Sequence, residues 1–387
     1  MDPRRPHVRR LLLTDFRSYA RLDLTLPRAN VVLSGQNGAG KTNLLEALSV
    51  LTPGRGLRRA ELGDCAREGG AGGWAVSVEV ETGSDEPPVR LGTGIEPGES
   101  ARKCRVDRVP VSSASAFADH VRIVWLTPAM DGLFMGPASD RRRFLDRIVL
   151  TLDRDHAARV SALERALRNR NRVLEEGRQS GRLDRAWAEA AEHEVATLGV
   201  AVAAARHETV ARLAALIEAS RDDASPFPWA DLALQGTIEA MVAEGPAIEA
   251  EDRYRALLRE ARARDAAAGR TSIGPHLSDL FVRHGPKAAE ASRSSTGEQK
   301  ALLVGLVLAQ ARLVDAMSGI APLVLLDEIA AHFDLLRRAA LFERLEELGA
   351  QVFMTGADPA LFDDAAGVAR FEVVPGAVRP AATPDEP

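Results

Sequence analysis

The chain has 387 residues, of which 45% are hydrophobic and 27% charged, and its formal net charge is −5 at pH 7. This length and composition predict a sizeable core divided between two structural units. The charge excludes a uniformly basic nucleic-acid binder but allows a local basic surface. Nothing approaches a signal core or a membrane span, so we expect a cytoplasmic protein without a membrane partner. Cys65 and Cys104 are isolated and predict neither a disulfide framework nor a zinc site.

The first chemical motif follows three predicted strands, at residues 8–13, 22–26 and 31–33. It matches G-x-x-x-x-G-K-T and consists of Gly35, Gln36, Asn37, Gly38, Ala39, Gly40, Lys41 and Thr42. Its glycines let backbone N–H groups turn toward an anion, and the helix that follows adds the positive end of its dipole. The motif predicts an ATP site in which Lys41 contacts the β and γ phosphates and Thr42 is a Mg²⁺ ligand.

A basic loop emerges beyond the phosphate-loop helix and carries Arg55, Arg58 and Arg59. Arginine forks suit phosphate oxygens, so these residues are candidate DNA contacts. Arginine clusters are also common on solvated faces, and an arginine bias can reflect a GC-rich genome. Residues 74–80, 89–95 and 103–111 then predict short strands of an antiparallel subdomain.

The pattern changes to helix near residue 139. Apolar stripes run along residues 160–174 and the alanine-rich stretch 183–220, a prolyl break follows at 225–229, and another helix is predicted over 251–267. The arginines at 141–143 and at 165, 168, 170 and 172 are further candidate phosphate contacts. We therefore predict an N-terminal head part at 1–138, an inserted helical arm at 139–268, a C-terminal head part at 269–375 and a disordered tail at 376–387.

The C-terminal head part supplies acidic and polar motifs. The apolar run at 322–326 predicts a buried strand that delivers Asp327 and Glu328 to its carboxyl end. Asp327 would hold Mg²⁺, and Glu328 would orient or deprotonate the attacking water, so Lys41, Asp327 and Glu328 are the predicted catalytic residues.

The stretch from Ser295 to Lys300 resembles the signature motif of ABC-type ATPases. That resemblance implies that Ser295, Gly297 and Glu298 contact ATP bound by the opposite subunit of a dimer, with Asp334 in the loop that crosses the interface. Two simpler interpretations stay open. Ser295 and Glu298 fit a capping box, and Asp334 fits an ordinary helix cap.

Nearly the whole chain resembles the RecF family of bacterial recombination mediators. The matching stretches are residues 14–19, 35–42, 51–59, 136–146, 274–276 and 295–300. The resemblance implies an α/β fold, an ABC-type P-loop ATPase head with an antiparallel β subdomain and an inserted short helical arm. It also implies a nucleoid-associated, ATP-dependent homodimer that binds double-stranded and gapped DNA, helps RecO and RecR load RecA, and has weak DNA-dependent ATPase activity.

Two departures from these patterns limit the inference. Leu277 follows Gly-Pro-His, where the family often has arginine, and Met354-Thr355-Gly356 occupies the place of the switch histidine of other ABC ATPases. The second departure favours slow hydrolysis and a switch over a motor. A transporter ATPase subunit and a structural SMC-like chromosome clamp are the alternatives. The first is disfavoured by about 250 residues between the phosphate loop and the signature.

Overall fold

The computed structural model describes residues 4–83 and 87–381, which form two compact units. The head unit comprises the described residues of Met1–Asp131, Asp222–Pro228 and Ser295–Pro387, and the helical unit comprises Gly132–Arg221 and Trp229–Ser294. These boundaries differ from the predicted insertion at 139–268. The helical unit begins earlier, ends later and omits residues 222–228, because Phe227 packs on Phe333 of the head unit with ring centroids 5.6 Å apart.

The elements of both units are named here in chain order. The strands are β1 (His7–Phe16), β2 (Tyr19–Thr25), β3 (Asn30–Ser34), β4 (Trp74–Glu81), β5 (Val89–Ile95), β6 (Lys103–Val106), β7 (Val109–Val111), β8 (Ile123–Leu126), β9 (Ala230–Gln235), β10 (Asp279–His284), β11 (Ala289–Glu290), β12 (Leu323–Leu326), β13 (Val352–Gly356), β14 (Val368–Val374) and β15 (Ala377–Pro380). The α-helices are α1 (Lys41–Ser49), α2 (Ala138–Leu152), α3 (His156–Ser180), α4 (Arg185–Ala219), α5 (Thr237–Glu244), α6 (Ala247–Glu260), α7 (Arg262–Ala268), α8 (Thr296–Ser318) and α9 (Leu335–Glu347).

The central sheet of the head unit brings the two halves of the motif set together. Its strand order is β15-β14-β3-β13-β12-β8, and β14, β3, β13, β12 and β8 run parallel. Strand β12 is buried along its whole length, as its apolar run predicts for a strand covered on both faces. Because parallel strands end at the same edge, the residues after β3 and β12 lie at one edge of the sheet, next to the end of β13.

The second sheet of the head unit is antiparallel, with the order β2-β1-β4-β5-β6-β7. It confirms the predicted antiparallel subdomain. The alternation of β4, in which Trp74, Val76 and Val78 are buried, turns one face toward a core shared with the central sheet. The other face carries small and charged side chains.

The helical unit confirms the predicted apolar stripes. Leu163 and Leu167 of α3 pack with Val195 and Val202 of α4 in one buried cluster. The stretch predicted as one long helix over 183–220 forms α4, which has 35 residues. The helix predicted over 251–267 is instead two consecutive helices, α6 and α7.

Several arginines considered as phosphate contacts stabilise the helical unit internally. Arg170 is fully buried and donates hydrogen bonds to the Asp265 carboxylate and the Thr271 hydroxyl, at 2.8 and 2.9 Å. Arg141 binds both carboxylate oxygens of Asp279, at 2.8 and 2.7 Å. The prediction of a phosphate contact is therefore wrong for Arg170, because its side chain is fully buried and breaking a buried ion pair is strongly unfavourable. For Arg141, which is partly buried, it stays a prediction.

Two expectations about the C-terminal part of the head unit are also corrected. The predicted disordered tail starts at residue 376, but Ala377–Pro380 forms β15, paired with β14, and Val378 packs against the core. Residues 382–387 lie outside the described part of the chain. Helix α8 is long and apolar enough to cross a membrane, contrary to the sequence expectation, but 61% of its apolar window is buried within the protein.

Candidate functional site

The phosphate loop lies between β3 and α1, the strand and helix that the motif requires. Gly40 precedes α1 with φ 112°, a left-handed conformation that favours glycine. A Cβ at Gly40 would lie 2.8 Å from the Tyr19 hydroxyl and 2.9 Å from the Ser18 hydroxyl. The close approach of β2 therefore also requires glycine at this position.

Lys41 points back into its own loop. Its ammonium donates hydrogen bonds to the carbonyl oxygens of Gly35 and Gln36, at 2.6 and 2.9 Å. Burial lowers the pKa of Lys41, and the carboxylates of Glu328 and Asp327 oppose that shift. The lysine is therefore a desolvated cation that an entering anion would stabilise.

Thr42 and Asp327 are joined directly, across 285 positions of sequence. The Thr42 hydroxyl lies 2.9 and 3.1 Å from the two carboxylate oxygens of Asp327. Asp327 follows β12 and is 7% exposed. The structure thus brings the predicted phosphate loop and the predicted acidic strand into one hydrogen-bonded group.

Thr355, at the end of β13, completes this group and was not predicted to take part. Its fully buried hydroxyl donates to Asp327 at 2.7 Å and accepts a hydrogen bond from the Glu328 backbone N–H at 2.9 Å. Glu328 has φ 50°, which is unfavourable for a residue with a side chain. The sequence signal that could have pointed to Thr355 was its position, because Met354-Thr355-Gly356 occupies the place of the switch histidine of other ABC ATPases.

The residues predicted to form the signature and to cross an interface make local hydrogen bonds at helix starts. Ser295 and Glu298 form a capping box at the start of α8, with distances of 3.4 and 3.0 Å. Asp334 caps α9 by accepting the Arg337 N–H at 2.9 Å. The capping hydrogen bonds of Ser295 and Asp334 stay within their own helix starts, outside the group around Asp327. A Cβ at Gly297 would lie 3.7 Å from the Arg337 guanidinium, so the two helix starts are neighbours.

The predicted DNA-binding arginines are exposed residues of the loop after α1, which ion pairs and hydrogen bonds hold in place. Arg55 pairs with Glu61 at 2.6 Å. Arg58 donates to the Asn43 side chain at 2.6 Å and to Glu46 at 3.0 Å, both on α1. Arg59 is exposed, with φ 60°. The loop is therefore attached to the helix that begins with Lys41.

Two further side chains position this loop: Glu46 of α1 binds Arg58, and Arg102 binds the turn after α1. Arg17 already binds both carboxylate oxygens of the fully buried Glu46, at 2.9 and 2.6 Å, so Arg58 is its second cation. Arg102 donates hydrogen bonds to backbone carbonyls of the turn after α1, at Val50, Thr52 and Gly54. Nothing local in the sequence predicted the role of Arg102.

The Gly-Pro-His stretch forms a packed turn in the helical unit. The His276 ring bonds the Thr271 carbonyl at 3.0 Å, and burial lowers the pKa of the imidazole. Leu277, which replaces the common arginine, is 53% exposed.

Comparison with known proteins places the chain in a family. The sequence model described as "RecF/RecN/SMC N terminal domain" matches residues 7–378. The chain is 54% identical over 374 residues to the DNA replication and repair protein RecF of Mesorhizobium japonicum, covering 96% of this chain and 97% of that protein. The RecF of Brucella abortus is 51% identical over 373 residues, covering 95% and 94%.

Solved structures share the fold. The recombination mediator protein RecF of the RecFOR pathway, as RecF-ATPrS, has a TM-score of 0.87 at 19% identity, covering 99% of this chain and all of the other. An Smc head bound to the C-winged helix domain of ScpA has a TM-score of 0.56 at 14% identity, covering 97% of each chain. The fold is therefore that of an ABC-type ATPase head with an inserted arm, as predicted. By its sequence relatives, the chain belongs to the RecF family of DNA replication and repair proteins.

Proposed function

We propose that this chain is an ATP-dependent DNA-binding protein of recombinational repair, in which ATP binding closes a homodimer. One observation carries the proposal. The Thr42 hydroxyl, the Asp327 carboxylate and the Thr355 hydroxyl form a continuous hydrogen-bonded group at one sheet edge, next to the phosphate loop. The proposal is also supported by the shared fold of the solved RecF-ATP structure, which has a TM-score of 0.84.

The chain's own side chains fit Mg²⁺ as a cofactor of ATP. The hydroxyl of Thr42 and the carboxylate of Asp327 are adjacent hard oxygen donors, which Mg²⁺ prefers. Within residues 4–83 and 87–381, no group of three or more His, Cys, Asp or Glu side chains could hold a metal alone. We therefore propose that the two residues share the ion with phosphate oxygens and water, where it would neutralise phosphate charge.

Lys41 and Glu328 would act on opposite sides of the γ phosphate. Lys41 would exchange its carbonyl partners, Gly35 and Gln36, for phosphate oxygens, which offset the cost of its burial. Glu328 would orient or deprotonate the attacking water, held in place through its N–H bond to Thr355. With threonine in the switch position, hydrolysis would be slow and would serve to reopen the dimer.

The dimer would be completed by the starts of α8 and α9. In this arrangement Ser295, Gly297 and Glu298 of one protomer face the ATP of its partner, and Asp334 crosses the interface. A helix start offers backbone N–H groups and a positive dipole end to an anion, which suits the γ phosphate. The neighbouring positions of Gly297 and Arg337 favour one joint surface.

The DNA-binding surface would include the loop of Arg55, Arg58 and Arg59. All three side chains are exposed, and Arg58 is a second cation on a carboxylate that Arg17 already neutralises. Phosphate contacts by this loop would hold duplex or gapped DNA without reading bases. Membership of the RecF family supports a role with RecO and RecR in loading RecA at single-strand gaps.

Static light scattering tests the proposed ATP-driven closure. The chain is measured without nucleotide, with ADP and Mg²⁺, and with ATP and Mg²⁺, beside Lys41→Ala and the control Lys287→Ala, which changes an exposed lysine of the helical unit. We expect the mass to double with ATP for the wild type and Lys287→Ala, and to stay monomeric for Lys41→Ala. A monomer in every state, or a dimer that ignores nucleotide, contradicts the proposal.

A further inference from the structure

The outer face of the antiparallel sheet carries a groove over β4, β5 and β6. The pairing of β4 with β5 sets Ala75 opposite Gly94 and Ser77 opposite Gly92, all on the face turned away from the core. These four residues leave a depression of about 310 Å³. We call it the β4–β6 groove. Its floor consists of small side chains and strand backbone, and it lies within the head unit.

Gly92 is not required by the fold. A Cβ at Gly92 would meet nothing within 4 Å, whereas a Cβ at Gly94 would collide with the Trp74 backbone. Glycine inside a strand weakens the sheet and often marks a place where a ligand or another backbone approaches closely. The open space above Gly92 therefore fits an approaching main chain.

The rim of the groove is basic, and its cations differ in how they are paired. Arg90 pairs with Glu79, and Lys103 pairs with Glu96 and Glu99. Arg105 and Arg108 are exposed, and the charge of Arg105 also acts on the Glu96 carboxylate that Lys103 binds. An anionic partner would therefore meet two exposed guanidinium groups at one side of the groove.

We propose that the β4–β6 groove binds an extended acidic peptide of a protein partner. Its main chain would lie over Gly92 and Ser77, and its carboxylates would pair with Arg105 and Arg108. This site is separate from the phosphate loop and goes beyond the proposed ATP-dependent DNA binding.

The rim favours a peptide over a nucleic-acid backbone. A nucleic acid presents a continuous row of phosphates, and the carboxylates of Glu79, Glu96 and Glu99 around the groove would repel such a row. A peptide, in contrast, can carry carboxylates at just the positions that face Arg105 and Arg108, and neutral residues elsewhere. Arginine forks bind carboxylates in a bidentate manner, which adds specificity.

The experiment begins by selecting peptides from a random display library on the full-length chain. Selected sequences are synthesised with a fluorescent label, and their affinities are measured for the wild type, for Arg105→Glu/Arg108→Glu and for Gly92→Leu. The control is Arg21→Glu/Arg28→Glu, which makes the same change in net charge at exposed positions on and just after β2, at the opposite edge of the sheet.

We expect acidic peptides to be selected, and the double reversal Arg105→Glu/Arg108→Glu to weaken their binding by about tenfold for each ion pair lost. Gly92→Leu should weaken peptide binding. The thermal midpoint of this variant should stay the same or rise, because the new side chain enters open space. The control variant Arg21→Glu/Arg28→Glu should bind the selected peptides with the affinity of the wild type.

Three results would overturn the proposal. The first is a selection that yields no acidic peptides. The second is that the selected peptides bind both groove variants as well as they bind the control. The third is that Arg105→Glu/Arg108→Glu lowers duplex DNA affinity and its salt dependence relative to the control, which would assign the groove to nucleic acid.

Discussion

Thr355→Val is a sharp test of the group at the sheet edge, because valine keeps the shape of threonine and removes its hydroxyl. The hydroxyl donates to the Asp327 carboxylate at 2.7 Å and accepts from the Glu328 N–H at 2.9 Å. A hydrogen bond to a charged group contributes about 1.5–3 kcal/mol, and a buried donor left unpaired costs about 1–3 kcal/mol. We expect the free energy of unfolding of the head unit to fall by about 3 kcal/mol.

The same substitution should slow hydrolysis more than it weakens nucleotide binding. Lys41 and Thr42 keep their partners in the variant, so we expect the nucleotide affinity to change little. Glu328, at φ 50°, loses the hydrogen bond that holds its backbone. A loss of about 1.4 kcal/mol in the orientation of its carboxylate corresponds to about tenfold slower turnover.

Urea unfolding, titration with a fluorescent ATP analogue and phosphate release measure these three quantities. Thr355→Ser is the matched control because it keeps the hydroxyl and loses one methyl group. We expect the serine variant to lose about 1 kcal/mol of stability through that methyl group and to retain turnover. If the valine variant equals the serine variant in both stability and turnover, the linking role of Thr355 is refuted.

Three further predictions concern single side chains. Lys41→Ala should abolish binding of a fluorescent ATP analogue, because the loop loses its cation, and retained binding would contradict the assigned role. Glu328→Gln should accumulate an ATP-bound dimer in light scattering, and a monomer in the presence of ATP would contradict it. Burial raises the pKa of Glu239 above 4.5, so the folded state favours the neutral carboxyl and its stability falls as pH rises above about 4.5. Glu239→Gln should therefore raise the thermal midpoint more at about pH 8 than at about pH 4.5, relative to the exposed control Glu244→Gln. An equal rise in the thermal midpoint at both pH values would contradict the direction of the pKa shift.

Local sequence predicted the elements whose chemistry is local. The phosphate loop needs glycines next to a strand and a helix, and all of these are contiguous between Asn30 and Ser49. The acidic strand was equally visible, because four buried apolar residues precede Asp327. The capping box at Ser295 was one of two interpretations of its sequence, and the structure contains it.

Contacts between distant positions could not be predicted in the same way. Thr355 joins Asp327 through the register of two parallel strands, and 28 residues separate them. Arg170 falls on the apolar face of α3, three residues after Leu167, so helical periodicity could have indicated that it is buried. Its partner could not be predicted, because Asp265 is 95 residues away and only the packing of α3 against α7 brings the two together. The sequence predicted a break at 225–229, but it could not assign residues 222–228 to the head unit, because that assignment depends on the contact of Phe227 with Phe333.

We propose that ATP controls DNA binding by this chain. Fluorescence anisotropy on duplex, single-stranded and gapped DNA, with ATP, ADP or no nucleotide and across a salt series, tests it most directly. We expect ATP to strengthen binding to duplex or gapped DNA, and the affinity to fall steeply with salt as phosphate contacts are lost. Absence of DNA binding in every nucleotide state, or binding that is the same with and without ATP, would contradict it.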